Sequence, residues 1–356
     1  MEKEFDLLVF VGRFQPFHLE HQRIIDVALT QSKYVLVLVG SSGKSRTIRN
    51  PFTFDERKCM IAGSYNEDDS KRVIIKPLYD KTYNDAAWIN QIQNIVKNTA
   101  TDAVNDFGFH NAGLDDAKVG LIGASKDQSS YYLKMFPQYD SVDVPIEFEV
   151  NATDIREDFL EGINRSGVED EVPENVADFL YGNATEGFVD FPEYKQLRSE
   201  LLFVRDYKKQ WAVSPYPVKH VAVDAVVEQS GHILLVKRRS EPGKGLYALP
   251  GGHLNEFERM EDGMIRELRE ETKIKVPQAV LRGCVQDSKT FDDPYRSTIG
   301  RVITQAFHIK LPDDVTLPKV KGSDDAEKAM WVPLSEIEEE DFFDDHYHII
   351  QYFLGL

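Results

Sequence analysis

Four short apolar runs, three of them ending on a glycine, constrain the first half of this chain more than any other feature. Asp6–Val11 runs into Gly12, Tyr34–Val39 into Gly40 and Val119–Ile122 into Gly123, and Arg72–Leu78 is the fourth. Segments with helical patterning lie between or after them: His18–Leu29, Phe54–Tyr65, Asp85–Lys97 and Ser129–Phe136. Short, nearly continuous apolar strands alternating with helices form βαβ units, whose parallel sheet is covered on both faces. The expectation is a doubly wound α/β domain. In such sheets ligands bind beyond the carboxyl ends of the strands, which is where Gly12, Gly40 and Gly123 fall.

Thr153–Leu160 and Val172–Leu180 read as closing helices of that domain, and Phe191–Trp211 as a charged amphipathic connector. Ser214-Pro-Tyr-Pro217 breaks the helix, because proline removes a donor and fixes φ. The pattern then changes. Val218–Glu228 and His232–Arg238 are β-like runs around the hairpin signal Gln229-Ser230-Gly231. Glu258–Thr272 is a charged helix, Arg301–Ile309 and Met330–Val332 are further strands, and Ser335–Glu340 and Asp344–Phe353 read as helical. This is an α+β domain. The expected division is residues 1–187, a helical connector at 188–213, and residues 214–356. A length of 356 residues suits two domains of roughly 150 each.

Composition narrows the partners. Lys plus Arg is 42 and Asp plus Glu is 60, a net charge of −18. That balance argues against nucleic-acid binding, which needs clustered cations to neutralise phosphates. It leaves nucleotides open as substrates. No run approaches ~18 apolar residues, and no basic region precedes a long apolar one at the N-terminus, so neither membrane span nor signal peptide is expected. Cys59 and Cys284 make no disulfide framework. A cytoplasmic location follows as the expectation. Homo-oligomerisation is left open.

The first chemical motif is Gly12-Arg13-Phe14-Gln15-Pro16-Phe17-His18-Leu19-Glu20-His21, directly after a strand. Gly12 allows close backbone approach. His18 and His21, three apart, share one face at a helix N-terminus, where free N–H groups and the dipole favour anions. Arg13 adds a cation. A lone histidine there is more often a cap or core residue; the whole string points to a phosphate chain. It resembles the nucleotidyltransferase signature, with HxxH written as His18-Leu-Glu-His21. Asn151-Ala-Thr-Asp-Ile-Arg156 resembles that superfamily's late phosphate motif, with Asn151 in place of the usual Ser and Thr153 and Arg156 matching. Arg46 and Asn50-Pro51-Phe52-Thr53 resemble the nicotinamide mononucleotide adenylyltransferases of the archaeal type. The resemblance implies a Rossmann-like nucleotidyltransferase domain that makes NAD from ATP and nicotinamide mononucleotide. It implies that His18, His21 and Arg156 hold ATP phosphates as catalytic groups. Gly12, Arg13, Phe14, Arg46 and Thr153 would contact substrate at the phosphates, and Asn84 and Trp88 the nicotinamide mononucleotide. Trp88 reads equally well as a buried residue of its helix.

Gly40-Ser-Ser-Gly-Lys-Ser45 mimics the end of a P-loop, but Leu38 stands where that motif needs glycine. Its backbone N–H groups remain candidates for phosphate contact. No side-chain nucleophile with a paired base is evident. The attacker is then the acceptor's own phosphate oxygen, striking the α-phosphorus of ATP, while the protein positions both and stabilises the leaving pyrophosphate. Mg²⁺ would bridge the phosphates.

The second motif is Gly252-His-Leu-Asn-Glu-Phe-Glu258, seven residues, then Arg266-Glu267-Leu268-Arg269-Glu270-Glu271-Thr272-Lys273-Ile274. Glu267, Glu270 and Glu271 stand at i, i+3 and i+4, so their carboxylates share one helical face. Hard oxygen ligands so arrayed suit Mg²⁺ or Mn²⁺. The alternative is a solvated acidic helix paired with Arg266 and Arg269. The string resembles the Nudix box, with Lys273 replacing its last glycine and Leu249-Pro250-Gly251-Gly252 as the usual lead-in. Nudix enzymes hydrolyse nucleoside diphosphates linked to another group with metal-activated water. Among the array, Glu267 and Glu271 are candidate catalytic groups, and Arg238 and Arg296 candidate substrate contacts. The base is left open among Glu267, Glu271 and a loop acid.

Together the two halves, and the run Ser125–Leu133, resemble bacterial bifunctional proteins that pair NAD synthesis with ADP-ribose hydrolysis. That pairing implies ATP, nicotinamide mononucleotide, NAD and ADP-ribose as ligands. Rival readings are an adenylyltransferase for another phosphate acceptor fused to another dinucleotide hydrolase, and a nucleotide-sensing regulator with little turnover.

Overall fold

The parallel sheet forms from β1 (Phe5–Gly12), β2 (Ser32–Val39), β3 (Val73–Pro77), β4 (Val119–Gly123) and β5 (Asp140–Asp143) in this computed structural model. The strand order is β3-β2-β1-β4-β5 and every pairing is parallel. Residues 3–106, 117–124, 132–183, 185–322 and 326–356 are described. The helices of this part are α1 (Leu19–Gln31), α2 (Phe54–Gly63), α3 (Glu67–Ser70), α4 (Asp85–Asp106), α5 (Ala152–Glu161) and α6 (Glu174–Tyr181). Val35, Leu36, Val37, Leu38, Leu8 and Val9 are fully buried, as strands covered on both faces require. The chain winds outward from β1 in both directions, so the order reverses between β1 and β4. That places a crevice beyond Gly12 and Gly123.

α7 (Pro192–Trp211) is the connector helix. The chain divides into two units, Met1–Arg198 and Ser199–Leu356. The division falls inside α7, so the later turns of that helix belong to the C-terminal unit.

The second sheet contains β6 (Lys219–Gln229), β7 (His232–Arg238), β8 (Tyr247–Ala248), β9 (Gly251–His253), β10 (Val285–Phe291), β11 (Arg301–Lys310) and β12 (Ala326–Pro333). Its path is β10-β11-β6-β7-β12, with β8 on β7 and β9 on β6. β6 and β11 run parallel; the remaining pairs are antiparallel. α8 (Met260–Thr272), α9 (Gln278–Gly283) and α10 (His346–Leu354) complete it. α8 lays Met264, Ile265 and Leu268 into a core with Val223, Ala225, Val227 and Ile309. The burial of that stripe leaves the glutamates of α8 on its other side.

Several elements differ from the sequence expectation. β5 and β10 were not anticipated: Asp-Ser-Val-Asp and Val-Gln-Asp-Ser-Lys-Thr-Phe have no apolar run, because both are edge strands held by backbone ladders. Ser335–Glu340 is not one helix but parts of two 3₁₀ turns, Leu334–Glu336 and Glu339–Asp341. Its run of like charges would repel within a single helical turn. The expected helix Ser129–Phe136 and the Ser125–Leu133 run lie partly outside the described residues. Among the described residues no helix is long and apolar enough to cross a membrane.

Candidate active sites

The loop after β1 is built around Phe14. Phe14 takes a left-handed φ of 53° and its ring is 1% exposed, packed edge-on against Phe10 and His21 at 5.3 and 4.8 Å. A Cβ on Gly12 would lie 2.8 Å from that ring. The glycine is therefore required by packing under the loop. His18 caps α1: its Nδ1 accepts from the His21 N–H at 3.4 Å, while the His18 N–H donates to His21 Nδ1 at 3.3 Å. The two imidazoles stack, centroids 3.5 Å apart. With both Nδ1 atoms accepting, the neutral rings carry their protons on Nε2. The capping box thus turns a pair of histidines into a pair of Nε2–H donors.

Arginines collect at the same strand ends. Arg156 on α5 donates to the Gln15 carbonyl at 2.6 Å and to Thr153 Oγ1 at 3.0 Å. Burial, then the charges of Arg13 and Arg49, push its pKa down to about 10. Arg13 is lowered too, by burial and then Arg49, with Asp80 opposing. Fully buried Arg57 donates to the carbonyls of Arg13 and Gly40, both at 2.6 Å, and of Ser41 at 3.3 Å. Its pKa also falls to about 10, chiefly by burial. Cations crowded until they depress one another favour an anion among them. A polyphosphate fits.

In the C-terminal unit, Arg266 is the hub of α8. It donates to both oxygens of Glu258 at 2.9 Å, to Glu267 at 2.8 Å and to Glu270 at 3.1 Å. Burial raises the Glu267 pKa against the opposing pull of Arg266. Glu271, outside the Arg266 cluster, accepts from the Gly251 N–H at 3.0 Å. Burial pushes its carboxyl up to about 8, and the charges of Glu267 and Asp224 add to the rise. Gly252 matters here: a Cβ on it would stand 2.6 Å from Glu267 Oε1. Among the described residues no group of three or more acids, histidines or cysteines converges as a ready cage. The donor set is nevertheless right for a hard divalent cation. Glu267, Glu270 and Glu271 are all oxygen donors on one helix, and a cation among them would relieve the charge that burial otherwise suppresses by raising the Glu267 and Glu271 pKa values. Lys273 takes φ 48° as the C-cap of α8, the conformation a glycine adopts freely, at a cost of about 1 kcal/mol.

Glu271 opens on a cavity of about 400 Å³, also lined by Arg238, Arg296, Asp344 and, from α7, Phe203 and Tyr207. Asp344 is raised to about 7, mainly by burial, then by the charge of Asp345.

Comparison with known proteins matches each site to a family. A profile described as NUDIX domain covers residues 218–353, and one described as Cytidylyltransferase-like covers residues 9–109. The chain is 37% identical over 198 residues (55% of this chain, 94% of the relative) to the nicotinamide/nicotinic acid mononucleotide adenylyltransferase of Acinetobacter baylyi. It is 33% identical over 157 residues (44% of this chain, 84% of the relative) to the ADP-ribose pyrophosphatase of Methanocaldococcus jannaschii. A crystal structure from Francisella tularensis, a bifunctional NMN adenylyltransferase/ADP ribose pyrophosphatase complexed with AMP and Mn ion, aligns over 99% of both chains, at 33% identity and TM-score 0.88. The chain belongs to this bifunctional adenylyltransferase–pyrophosphatase family.

Within that family frame, several residues singled out from sequence have other work. Arg46 forms a bidentate ion pair with Glu56, both contacts 2.7 Å, and lies 5.4 Å over the Phe188 ring. That pair locks the loop before α2 and holds the guanidinium against a carboxylate. Asn84 spends its side-chain oxygen on the Ala87 N–H at 3.0 Å, at the start of α4. Trp88 packs against the core of the first unit and lies 6.4 Å from the Phe136 ring. The Phe14 side chain is core, so its part is to seat Gly12 and His21. Arg296 makes a buried bidentate pair with Asp345 at 2.7 and 2.9 Å, which builds the cavity wall. Arg238 lines the cavity, donates to the Pro242 carbonyl at 2.9 Å and lies 4.0 Å over Phe343. In the Gly40–Ser45 loop, the N–H groups of Gly40 and Ser42 bond to the Gly12 and Leu78 carbonyls at 2.8 and 3.2 Å, which removes those two from phosphate contact. Thr153 is exposed and accepts from Arg156, and Asn151 caps α5 through its side chain as the usual serine would. Arg49, Arg57 and Asp80 were missed. Arg49 follows Arg46 by three residues in a basic loop, which was the available signal; nothing local marked Arg57.

Proposed function

We propose that the first unit transfers the adenylyl group of ATP to nicotinamide mononucleotide, giving NAD and pyrophosphate. The second hydrolyses ADP-ribose to AMP and ribose 5-phosphate, with Mg²⁺ or Mn²⁺ as its metal. The observation that carries both is likeness along the whole chain to a protein with the two activities, together with an intact phosphate-type site in one unit and an acidic α8 in the other.

In the transferase, an acceptor phosphate oxygen forms a bond to the α-phosphorus as the bond to the β-phosphate oxygen breaks. No proton need move. The chain's task is to hold the two phosphates in line and receive charge on the departing pyrophosphate. The Nε2–H groups of His18 and His21 and the guanidinium groups of Arg156, Arg13 and Arg49 supply that charge stabilisation. Arg57 braces the ends of β1 and β2, so these donors are preorganised.

In the hydrolase, Glu267, Glu270 and Glu271 would hold the metal, with Arg266 releasing Glu270 and keeping Glu258 and Glu267 oriented. When bound, a divalent cation supplies Lewis acidity toward the diphosphate. Gly251 and Gly252 seat the loop against β6 and α8, since a Cβ on the first would strike the Val223 carbonyl and Asp224 and on the second Glu267. A panel of phosphate acceptors with ATP, nicotinic acid mononucleotide included, and of nucleoside diphosphate derivatives with each metal, tests the assignment by product identification. Failure to form NAD, or to release AMP from ADP-ribose, refutes the corresponding half.

A further inference from the structure

The later turns of α7 carry more aromatic surface than a connector needs. Phe203, Tyr207 and Trp211 recur every fourth residue and so share one helical face. The Phe203 and Tyr207 rings are stacked at 23°, centroids 6.3 Å apart, and Tyr207 lies 6.3 Å from Trp211. His220 on β6 pins the ladder to the sheet, 5.6 Å from Tyr207 and 5.1 Å from Trp211. His220 lies in turn 5.4 Å from His253, the neighbour of Gly252, against which Glu267 rests. Phe203 and Tyr207 both line the hydrolase cavity with Glu271. Phe203 is nevertheless 40% exposed, far more open than a ring whose task is core packing.

We infer that Phe203 and Tyr207 form the stacking platform for the adenine base of ADP-ribose, so that α7 is a wall of the hydrolase site. This rests on the ADP-ribose reading above. The base is the part of that substrate that fits aromatic rings, because a flat, uncharged π-face stacks on them, and the two fused rings of a purine cover more of the platform than the single ring of a pyrimidine. The ribose 5-phosphate half is hydroxyl-rich and charged. It needs polar partners, which Arg238, Ser297 and Asp344 supply elsewhere on the cavity lining. The diphosphate between them falls at Gly251, Gly252 and the α8 carboxylates.

The test uses the full chain with Tyr207→Leu, Phe203→Leu and the pair together. Leucine keeps helix propensity and apolar bulk but has no ring. Tyr207→Phe is the conservative control. Hydrolysis of ADP-ribose is compared with that of its cytidine analogue, and adenylyl transfer by the same preparation reports folding. Each leucine variant should raise KM for ADP-ribose about tenfold, the loss of one base–aromatic contact, with a much smaller change in kcat. The cytidine analogue, with its smaller ring, should lose less, so the preference for adenine over cytosine should shrink, and Tyr207→Phe should keep both. Unchanged KM, or an equal loss on both substrates, would overturn the platform while leaving the hydrolase assignment standing. A wild-type chain that leaves ADP-ribose intact would overturn that assignment and the platform with it.

Discussion

Replacing Gly252 with alanine separates function from stability in the hydrolase. The three atoms nearest the new Cβ would all belong to Glu267: Oε1 at 2.6 Å, Cδ at 2.7 Å and Oε2 at 3.0 Å. These are the far end of a flexible side chain, not backbone. Gly252 has no positive φ, so the backbone accepts alanine without strain. To regain an ordinary 3.4 Å contact the carboxylate must swing by about 0.8 Å. That move pulls Glu267 from the 2.8 Å bond to Arg266, worth about 1 kcal/mol at this partly exposed ion pair. A 1 Å misplacement in a catalytic array costs roughly 10²-fold in rate. Gly252→Ala should therefore lower kcat/KM for ADP-ribose by about two orders of magnitude and change unfolding stability by about 1 kcal/mol or less. Steady-state hydrolysis at saturating metal, with calorimetric unfolding of the same sample, measures both. Near-normal hydrolysis would refute the placement of Glu267 against Gly252. A stability loss of several kcal/mol would refute the argument that the mobile carboxylate gives way.

Gly12→Ala should read the opposite way, because its Cβ would meet the buried Phe14 ring: about 1–3 kcal/mol lost from the first unit, largely recovered in a Gly12→Ala/Phe14→Leu double variant, as a thermal double-mutant cycle would show. His18→Ala should remove both cap and donor, costing about 1 kcal/mol and roughly 10²-fold in adenylyl transfer. His18→Asn should restore the cap and the melting temperature while transfer stays low; recovery of transfer would make His18 purely structural. Glu271→Gln should abolish hydrolysis yet stabilise the metal-free chain. The folded carboxyl sits at about 8 against an ordinary 4.5, so wild type loses stability as pH rises through that window, by up to about 1.4 kcal/mol per pH unit. The glutamine variant's advantage in chelator should grow from pH 5 to 8, and a pH-independent difference in melting temperature would contradict the buried-charge account.

Local periodicity made much of the fold legible. β1, β2 and β6 announce themselves because strands buried in a sheet must be apolar along their length. β5 and β10 escaped because an edge strand is held by backbone bonds that any side chain permits, and their polar residues face solvent. The same division runs through the sites. The His18–His21 spacing and the α8 glutamates are arguments about one helix, and one helix can be read from sequence. The departure at Lys273 was legible too, since only the backbone had to accept a positive φ.

Which arginine is available for phosphate is another kind of question. Arg46 and Arg296 have the right chemistry, but Glu56 and Asp345 meet them at 2.7 Å, and Asp345 stands 49 residues along the chain from Arg296. Nothing local distinguishes Arg57 within its helix, yet the fold buries it completely among carbonyls of two strand ends. Phe203 and Tyr207 looked like part of a linker until α7 brought them to a cavity whose other walls come from residues 222 to 346. The sequence by itself determined the two element patterns and the two local motifs, because helix and strand geometry convert spacing directly into shared faces. Only the tertiary structure decided which charged groups neutralise one another, because a charge pairs with whatever partner folding brings within about 4 Å, however distant in the chain.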